Sequence, residues 1–232
     1  SRWSPLATID DWADALDAAR WIQNSSKVEG SGGVADRDFW DAQARFLLAP
    51  LMYVAAKENR SMADVARLVT GGDDVEQLVT RSLQRIITDD QGPMIYWSRF
   101  VGLEQRTKSS VLVTAATVLE AWTHPRVAKA VILTGGENTE EVLDLDFVTS
   151  GTGTLYLVAP AAEQAAFSSI FETLVNAVAM RVERAAQARG GLALDPPLLL
   201  ALDEAANIAP MRNLDQLASK GAGEGIIVVS VW

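Results

Sequence analysis

The sequence predicts an α/β chain in two parts, a helical first half followed by a parallel strand–helix–strand region. Three observations carry that expectation. Up to about residue 122, apolar residues recur at three- and four-residue steps, which is the helical period. Beyond about residue 127 come short unbroken apolar runs, Thr154-Leu-Tyr-Leu-Val158, Leu198-Leu-Leu-Ala-Leu202 and Ile226-Ile-Val-Val-Ser-Val231. A long amphipathic stretch separates the first two runs. Strands covered by helices on both faces read as such runs, and the link between parallel strands is a helical crossover.

Taken in order, residues 10–24 place Trp12, Leu16 and Ala19 on one helical face with Trp21 beside them, acids early and Arg20 late. That charge order suits the helix dipole. Residues 25–33 are polar and glycine-rich and predict a loop or boundary. Residues 38–58 form one apolar face from Phe39, Trp40, Ala44, Leu47, Leu48, Leu51, Met52 and Ala55, with Pro50 expected to kink or divide the helix. Ser61-Met-Ala-Asp64 has the spacing of a capping box, opening a short helix that ends at Gly71-Gly72.

Residues 73–88 follow with a stripe of Val75, Leu78, Val79, Leu83 and Ile86 expected to be buried. Residues 108–122 share Val111, Ala115, Val118, Leu119 and Trp122 on one face, and His124-Pro125 ends them. Short connections and little β signal predict that these helices pack as a compact bundle. Six of the seven tryptophans fall in this first half and read as core, because a base-stacking platform needs exposed aromatics beside basic residues.

In the second half, Val131–Thr134 is apolar but too short to assign. Residues 161–189 predict a long helix with Phe167, Ile170, Phe171, Leu174, Val175, Val178 and Val182 inward. Arg181, Arg184 and Arg189 sit in its later turns and Gly190-Gly191 closes it. The last two apolar runs then complete a parallel unit.

Composition narrows the function. An apolar content of 49% fits a folded chain. No cysteine is present, which excludes a disulfide and a thiolate metal site, and the single histidine, His124, argues against a His-based metal site or a Ser-His-Asp triad. Beside Pro125 at a helix end, His124 reads as a solvated or capping residue. A net charge of −10 opposes general coating of a nucleic-acid backbone. Arg99 to Lys108, with Arg106, is the best local basic candidate, although a solvated helix face explains it as well. No run approaches the ~18 apolar residues of a membrane span. The chain opens at Ser1 and stops inside an apolar run, so it is expected to be an internal fragment of a longer protein.

The most informative stretch is Leu198-Leu-Leu-Ala-Leu-Asp203-Glu204. Functional groups of open α/β sheets collect at the carboxyl ends of strands, and here an apolar strand ends in two carboxylates. In a nucleotide hydrolase, the Asp of such a pair helps hold Mg2+ through a coordinated water, and the next acid orients or deprotonates the attacking water. On that reading Asp203 takes the magnesium role and Glu204 the general-base role. The competing reading is that both acids cap the following loop or helix. A glycosidase-like carboxylate pair does not fit, since adjacent strand residues point to opposite faces. A phosphate-cradling loop needs G-x-x-x-x-G-K-[ST], and the chain contains no Gly-Lys dipeptide. Gly221, Gly223 and Gly225 are too closely spaced for one and are expected to form a turn. The 232 residues alone are therefore not expected to hydrolyse ATP.

Leu200-Ala-Leu-Asp-Glu-Ala-Ala-Asn-Ile-Ala-Pro-Met-Arg-Asn-Leu-Asp-Gln-Leu-Ala-Ser-Lys-Gly-Ala-Gly-Glu-Gly-Ile-Ile-Val-Val-Ser-Val-Trp232 closely resembles the Walker B region of TraG/TraD-type coupling proteins, the ATPases of conjugative type IV secretion systems. Thr154-Leu-Tyr-Leu-Val-Ala-Pro160 and Ser109-Ser-Val-Leu-Val-Thr-Ala-Ala-Thr-Val-Leu119, with Pro125 soon after, agree with it. Trp3-Ser-Pro-Leu6 resembles the family's Asn-Pro-Leu segment, with Ser4 in the asparagine position. The resemblance implies a RecA-like P-loop NTPase core, its parallel sheet incomplete here, interrupted by an all-α domain. Residues 1–35 would then belong to the nucleotide-binding domain, 36–128 to the inserted domain, and 129–232 to the part carrying the Walker B strand. It also implies ATP and Mg2+ as cofactors and a membrane-anchored homo-hexamer on the cytoplasmic face of the bacterial membrane. Its partners would be DNA, the relaxase of the relaxosome and the type IV secretion channel.

The chain departs from the pattern at Ala222, where members often carry an arginine that is a candidate arginine finger. Lys220 is nearby but lacks the guanidinium fork. The family's glutamine after the last strand would fall just past Trp232. Two further readings stand beside the coupling type: a septal-type or virion-packaging DNA pump with the same core, and a non-catalytic adaptor that recognises cargo or DNA through its helical domain. Ala222 favours the adaptor, and Asp203-Glu204 disfavours it.

Overall fold

In the computed structural model, the structure describes residues 3–26, 34–125, 127, 143–151, 153–160, 163–203 and 214–231. The short apolar run at 131–134 and the second acid, Glu204, lie outside the described residues. The chain divides into two compact units, Ser1–Val142 and Leu143–Trp232.

Every element described in the first unit is helical. A short 3-10 turn, Pro5–Thr8, leads into α1 (Trp12–Ser25), α2 (Val34–Lys57), α3 (Met62–Thr70), α4 (Asp73–Ile86), α5 (Gly92–Val101) and α6 (Gln105–Thr123). Side chains at two starts satisfy amides that have no intrahelical partner. At α1, Asp14 N–H donates to Asp11 at 2.9 Å and Asp11 N–H returns to Asp14 at 3.1 Å. At α3, Asp64 N–H donates to Ser61 Oγ at 3.2 Å and Ser61 N–H to the Asp64 carboxylate at 2.8 Å, the capping box read from the sequence.

Helix α2 packs against each of the other five. Its Leu47, Leu48, Leu51, Met52 and Ala55 are buried, while Phe39, expected inward, is exposed. Pro50 neither ends nor divides the helix, which runs through it from Val34 to Lys57. A proline in a helix interior costs ~3 kcal/mol, whereas each buried leucine contributes about 1.5–3 kcal/mol. The leucines on both sides of Pro50 therefore hold the helix together.

Helix α5 was not anticipated. Its signals are Pro93 in the first turn and the buried pair Trp97 and Phe100, three residues apart. The stripe on α4 is narrower than expected: Val79 and Leu83 are buried but Leu78 is exposed. Instead Ser82 is buried, and Thr80 on α4 accepts the Trp97 indole N–H at 2.9 Å. Trp3, Trp12, Trp21, Trp97 and Trp122 are all buried, as core tryptophans should be. His124 is the half-buried C-cap of α6.

The second unit contains α7 (Gln164–Ala188), β1 (Leu198–Leu202), α8 (Leu214–Glu224) and β2 (Ile226–Ser230). The strands pair in parallel, with Leu198 opposite Ile226 and Leu202 opposite Ser230, joined by α8. Phe171, Val175, Ala179 and Val182 of α7 pack with Leu194, Leu200 and Ile226 in one cluster.

Two sheet expectations are corrected. Residues 154–158 are not in a strand; Leu157 and Ala159 pack on the cluster, while Tyr156 and Val158 are each 82% exposed. An apolar run thus stays out of the ladder, because its length and composition cannot supply a partner strand. Among the described residues the strands are also covered on one face only: Leu199, Ile227 and Val229 are 58%, 49% and 52% exposed. Gly221 and Gly223 lie inside α8, so they form no turn, and Gly225 alone makes the break into β2, with φ of +93°.

Candidate functional site

Asp203 is the first residue past β1 and is exposed. Its position follows from what holds the strand. Leu200 is buried in the cluster while Leu198 and Leu202 pack against it, so the strand is anchored at alternate residues. Because β1 and β2 run in parallel, their carboxyl ends share one edge, and Val231 N–H donates to the Leu202 carbonyl at 2.9 Å there. At the opposite edge, Leu198 N–H donates to the Gly225 carbonyl at 2.8 Å and Leu194 N–H to that of Glu224 at 2.9 Å. The pair is thus closed by backbone hydrogen bonds at both ends.

A carboxylate at this edge is a hard oxygen donor of the kind Mg2+ prefers, and one that acts through a coordinated water need supply only one contact. Asp203 fits that limited role. Among the described residues, no group of three or more His, Asp or Glu is arranged to enclose a metal by itself. The carboxylate of Glu224, in the last turn of α8, is pushed above its ordinary value by burial, then by Glu183, with Lys220 opposing. Lys220 and Ala222 are exposed on the same helix.

The basic stretch from Arg99 to Lys108 does not gather into one patch. Arg99 on α5 lies over the Phe46 ring, 5.1 Å from its centroid. Lys108 on α6 pairs with Glu76 at 2.7 Å, with its side chain only 12% exposed. Arg106 is exposed. No helix among the described residues is long and apolar enough to cross a membrane.

The family model for type IV secretory system conjugative DNA transfer matches residues 1–231. The chain belongs to this family. The coupling-protein resemblance read from the Walker B region, the 154–160 run and the Trp3-Ser-Pro-Leu6 segment therefore holds.

Solved coupling-protein structures share the fold. The plasmid coupling protein TrwB in complex with ADP and Mg2+ aligns with a TM-score of 0.65 at 18% identity, over 99% of this chain and 49% of that one. The unbound monoclinic form of TrwBdeltaN70, a bacterial conjugative coupling protein, gives 0.65 at 16% identity, over 99% and 48%. Its trigonal form in complex with sulphate gives 0.63 at 18% identity, over 99% and 48%. The conjugative-transfer chain thus spans about half the length of the coupling proteins it matches. No curated protein gives a significant match.

Sequence reasoning missed Glu224 and the contact between Gly225 and residue 194. Its available signal was the glycine directly before an apolar run, which marks a break in conformation but not what approaches it.

Proposed function

We propose that this chain is part of an ATP-driven DNA-translocating coupling protein, contributing the acidic strand end of a RecA-like nucleotide-binding core. The observation that carries the reading is Asp203 at the carboxyl end of a buried-anchored parallel strand, in a chain of the conjugative DNA-transfer family. Asp203 holds Mg2+ through a coordinated water, and Glu204, next in sequence, orients or deprotonates the water that attacks the terminal phosphate. Mg2+, when bound with the nucleotide, neutralises charge developing on the phosphates. The phosphate-cradling loop comes from elsewhere in the protein, as these 232 residues contain no Gly-Lys pair.

The outward apolar face of Leu199, Ile227 and Val229 supports an enclosed core of this kind, since parallel sheets are ordinarily covered on both faces. The helical unit serves recognition of DNA or of a relaxase–DNA complex, and the working form is a membrane-anchored homo-hexamer that delivers cargo to the secretion channel.

Ala222 favours a second reading, a non-catalytic cargo adaptor. Steady-state ATP turnover and nucleotide binding of the intact protein separate the two. For the motor, Glu204→Gln retains nucleotide binding and loses turnover, and Asp203→Ala weakens Mg2+-dependent binding. A wild-type protein without turnover would leave the adaptor standing, whereas turnover indifferent to both changes would remove Asp203 and Glu204 from the mechanism.

A further inference from the structure

We infer that Gly225 is a positioning residue for the Asp203 strand end, an inference that rests on the nucleotide-hydrolysis reading above. Three observations meet at this glycine. Its φ of +93° lies where residues with a side chain are strained. A Cβ there would stand 2.5 Å from Leu194 N and 2.6 Å from Leu194 O, so it would strike backbone and not the yielding tip of a side chain. The same approach carries the hydrogen bonds that start the sheet, from Leu194 N–H to Glu224 O at 2.9 Å and from Leu198 N–H to Gly225 O at 2.8 Å.

The consequence reaches the other end of the pair. Strand β1 has five residues, roughly 16 Å at ~3.3 Å per residue. Its register against β2 is set where Leu198 meets Ile226, next to Gly225. A side chain at 225 separates residue 194 from the α8–β2 junction and shifts or tilts β2 against β1. Asp203 follows the last paired residue of β1 directly, so it moves with that register. Gly223, two residues earlier, has nothing within 4 Å of its added Cβ and lies in the helix, which makes it a matched control.

The experiment compares Gly225→Ala and Gly223→Ala in the intact coupling protein, each alone and with Asp203→Ala, measuring ATP turnover, Mg2+-dependent nucleotide binding and thermal melting. Gly225→Ala is expected to lower kcat by roughly 10–100-fold, the scale of an ångström-level misplacement, and to weaken Mg2+-dependent nucleotide binding in the same direction as Asp203→Ala. Gly223→Ala should leave kcat as it is. In the Asp203→Ala background the Gly225→Ala loss should disappear, because two changes acting through one group are not additive.

Equal effects of the two glycine variants, or a Gly225 loss that persists undiminished without Asp203, overturn the inference while leaving the hydrolysis reading intact. Turnover insensitive to Asp203→Ala overturns both. If Gly225→Ala does not melt as a folded protein, Gly221→Ala gives a gentler displacement of β2, because its methyl meets Ile226 Cβ at 2.9 Å. That variant should lower kcat and weaken Mg2+-dependent nucleotide binding in the same direction, and unchanged kcat would overturn the inference.

Discussion

Val231 N–H donates to the carbonyl of Leu202 at 2.9 Å, carrying the pairing of the two strands up to the peptide that leads into Asp203. The acid therefore leaves from a bonded strand end and not from a free loop. That relationship makes the stability of this small sheet and the behaviour of the acidic edge a single experimental question.

Leu200 is the β1 residue buried in the core of the second unit, against Phe171, Val175 and Ile226. Leu200→Ala should destabilise by about 2–5 kcal/mol, transfer and cavity contributions together. Denaturant titration checks this. Leu199→Ala, on the outward face, should cost much less when the same chain is studied alone, and equal losses would contradict the one-sided burial.

Ser61 caps α3, and its partner Asp64 is held low by hydrogen bonds from Ser61 and the charges of Arg67 and Arg60, which outweigh the upward push of burial. Ser61→Ala should cost about 0.5–2 kcal/mol. Ser61→Gly should lose only a few tenths of that unit, and a loss as large as that of alanine would argue against the cap.

Glu58 sets an acid limb. Burial pushes its carboxyl up, but hydrogen bonding from Ser82 and the charges and hydrogen bonds of Arg60 and Arg85 prevail and hold it below the usual value. For an acid lowered in the native state, the stabilisation is full above the ordinary value and is lost as pH falls through the native one. Melting temperature should drop in that window, and Glu58→Gln should flatten the drop while lowering the melting temperature near neutrality.

Glu224 behaves in the opposite sense. Its native value is raised by burial and by Glu183, so its contribution is full below the ordinary value and is lost as pH rises through the raised one. Glu224→Gln should raise the melting temperature at neutral pH and have little effect in acid. No gain at neutral pH would show that burial and Glu183 do not disfavour the ionised Glu224.

Lys108 is committed to Glu76 and to the Phe100 ring, 5.7 Å from its centroid. Lys108→Ala should cost about 1.5–3 kcal/mol, the range for hydrogen bonds to charged groups. It should leave the salt dependence of DNA binding by the intact protein unchanged. A slope reduced by about one would make Lys108 a phosphate contact.

Several elements could be read directly. The capping box at Ser61 and Asp64, the apolar face of α6 and the limits of α7 follow from neighbours three and four residues apart. Helix α5 escaped because Gly92-Pro93 looks like a break, and the aromatic pair behind it spans too few turns to declare a period. Pro50 misled for a related reason. A local penalty was visible in the sequence, but the burial that outweighs it depends on five other helices.

By itself the sequence determined most of the helices and both paired strands, that β1 ends immediately before Asp203, and that the chain is a conjugative-transfer relative. Those properties are written in residues adjacent along the chain. Tertiary structure alone decided that 154–158 stays out of the β1–β2 ladder, that among the described residues only one sheet face is covered, and that Gly225 lies against residue 194. Each of these sets together segments distant in sequence, and a partner's identity leaves no trace in the periodicity of the strand that receives it.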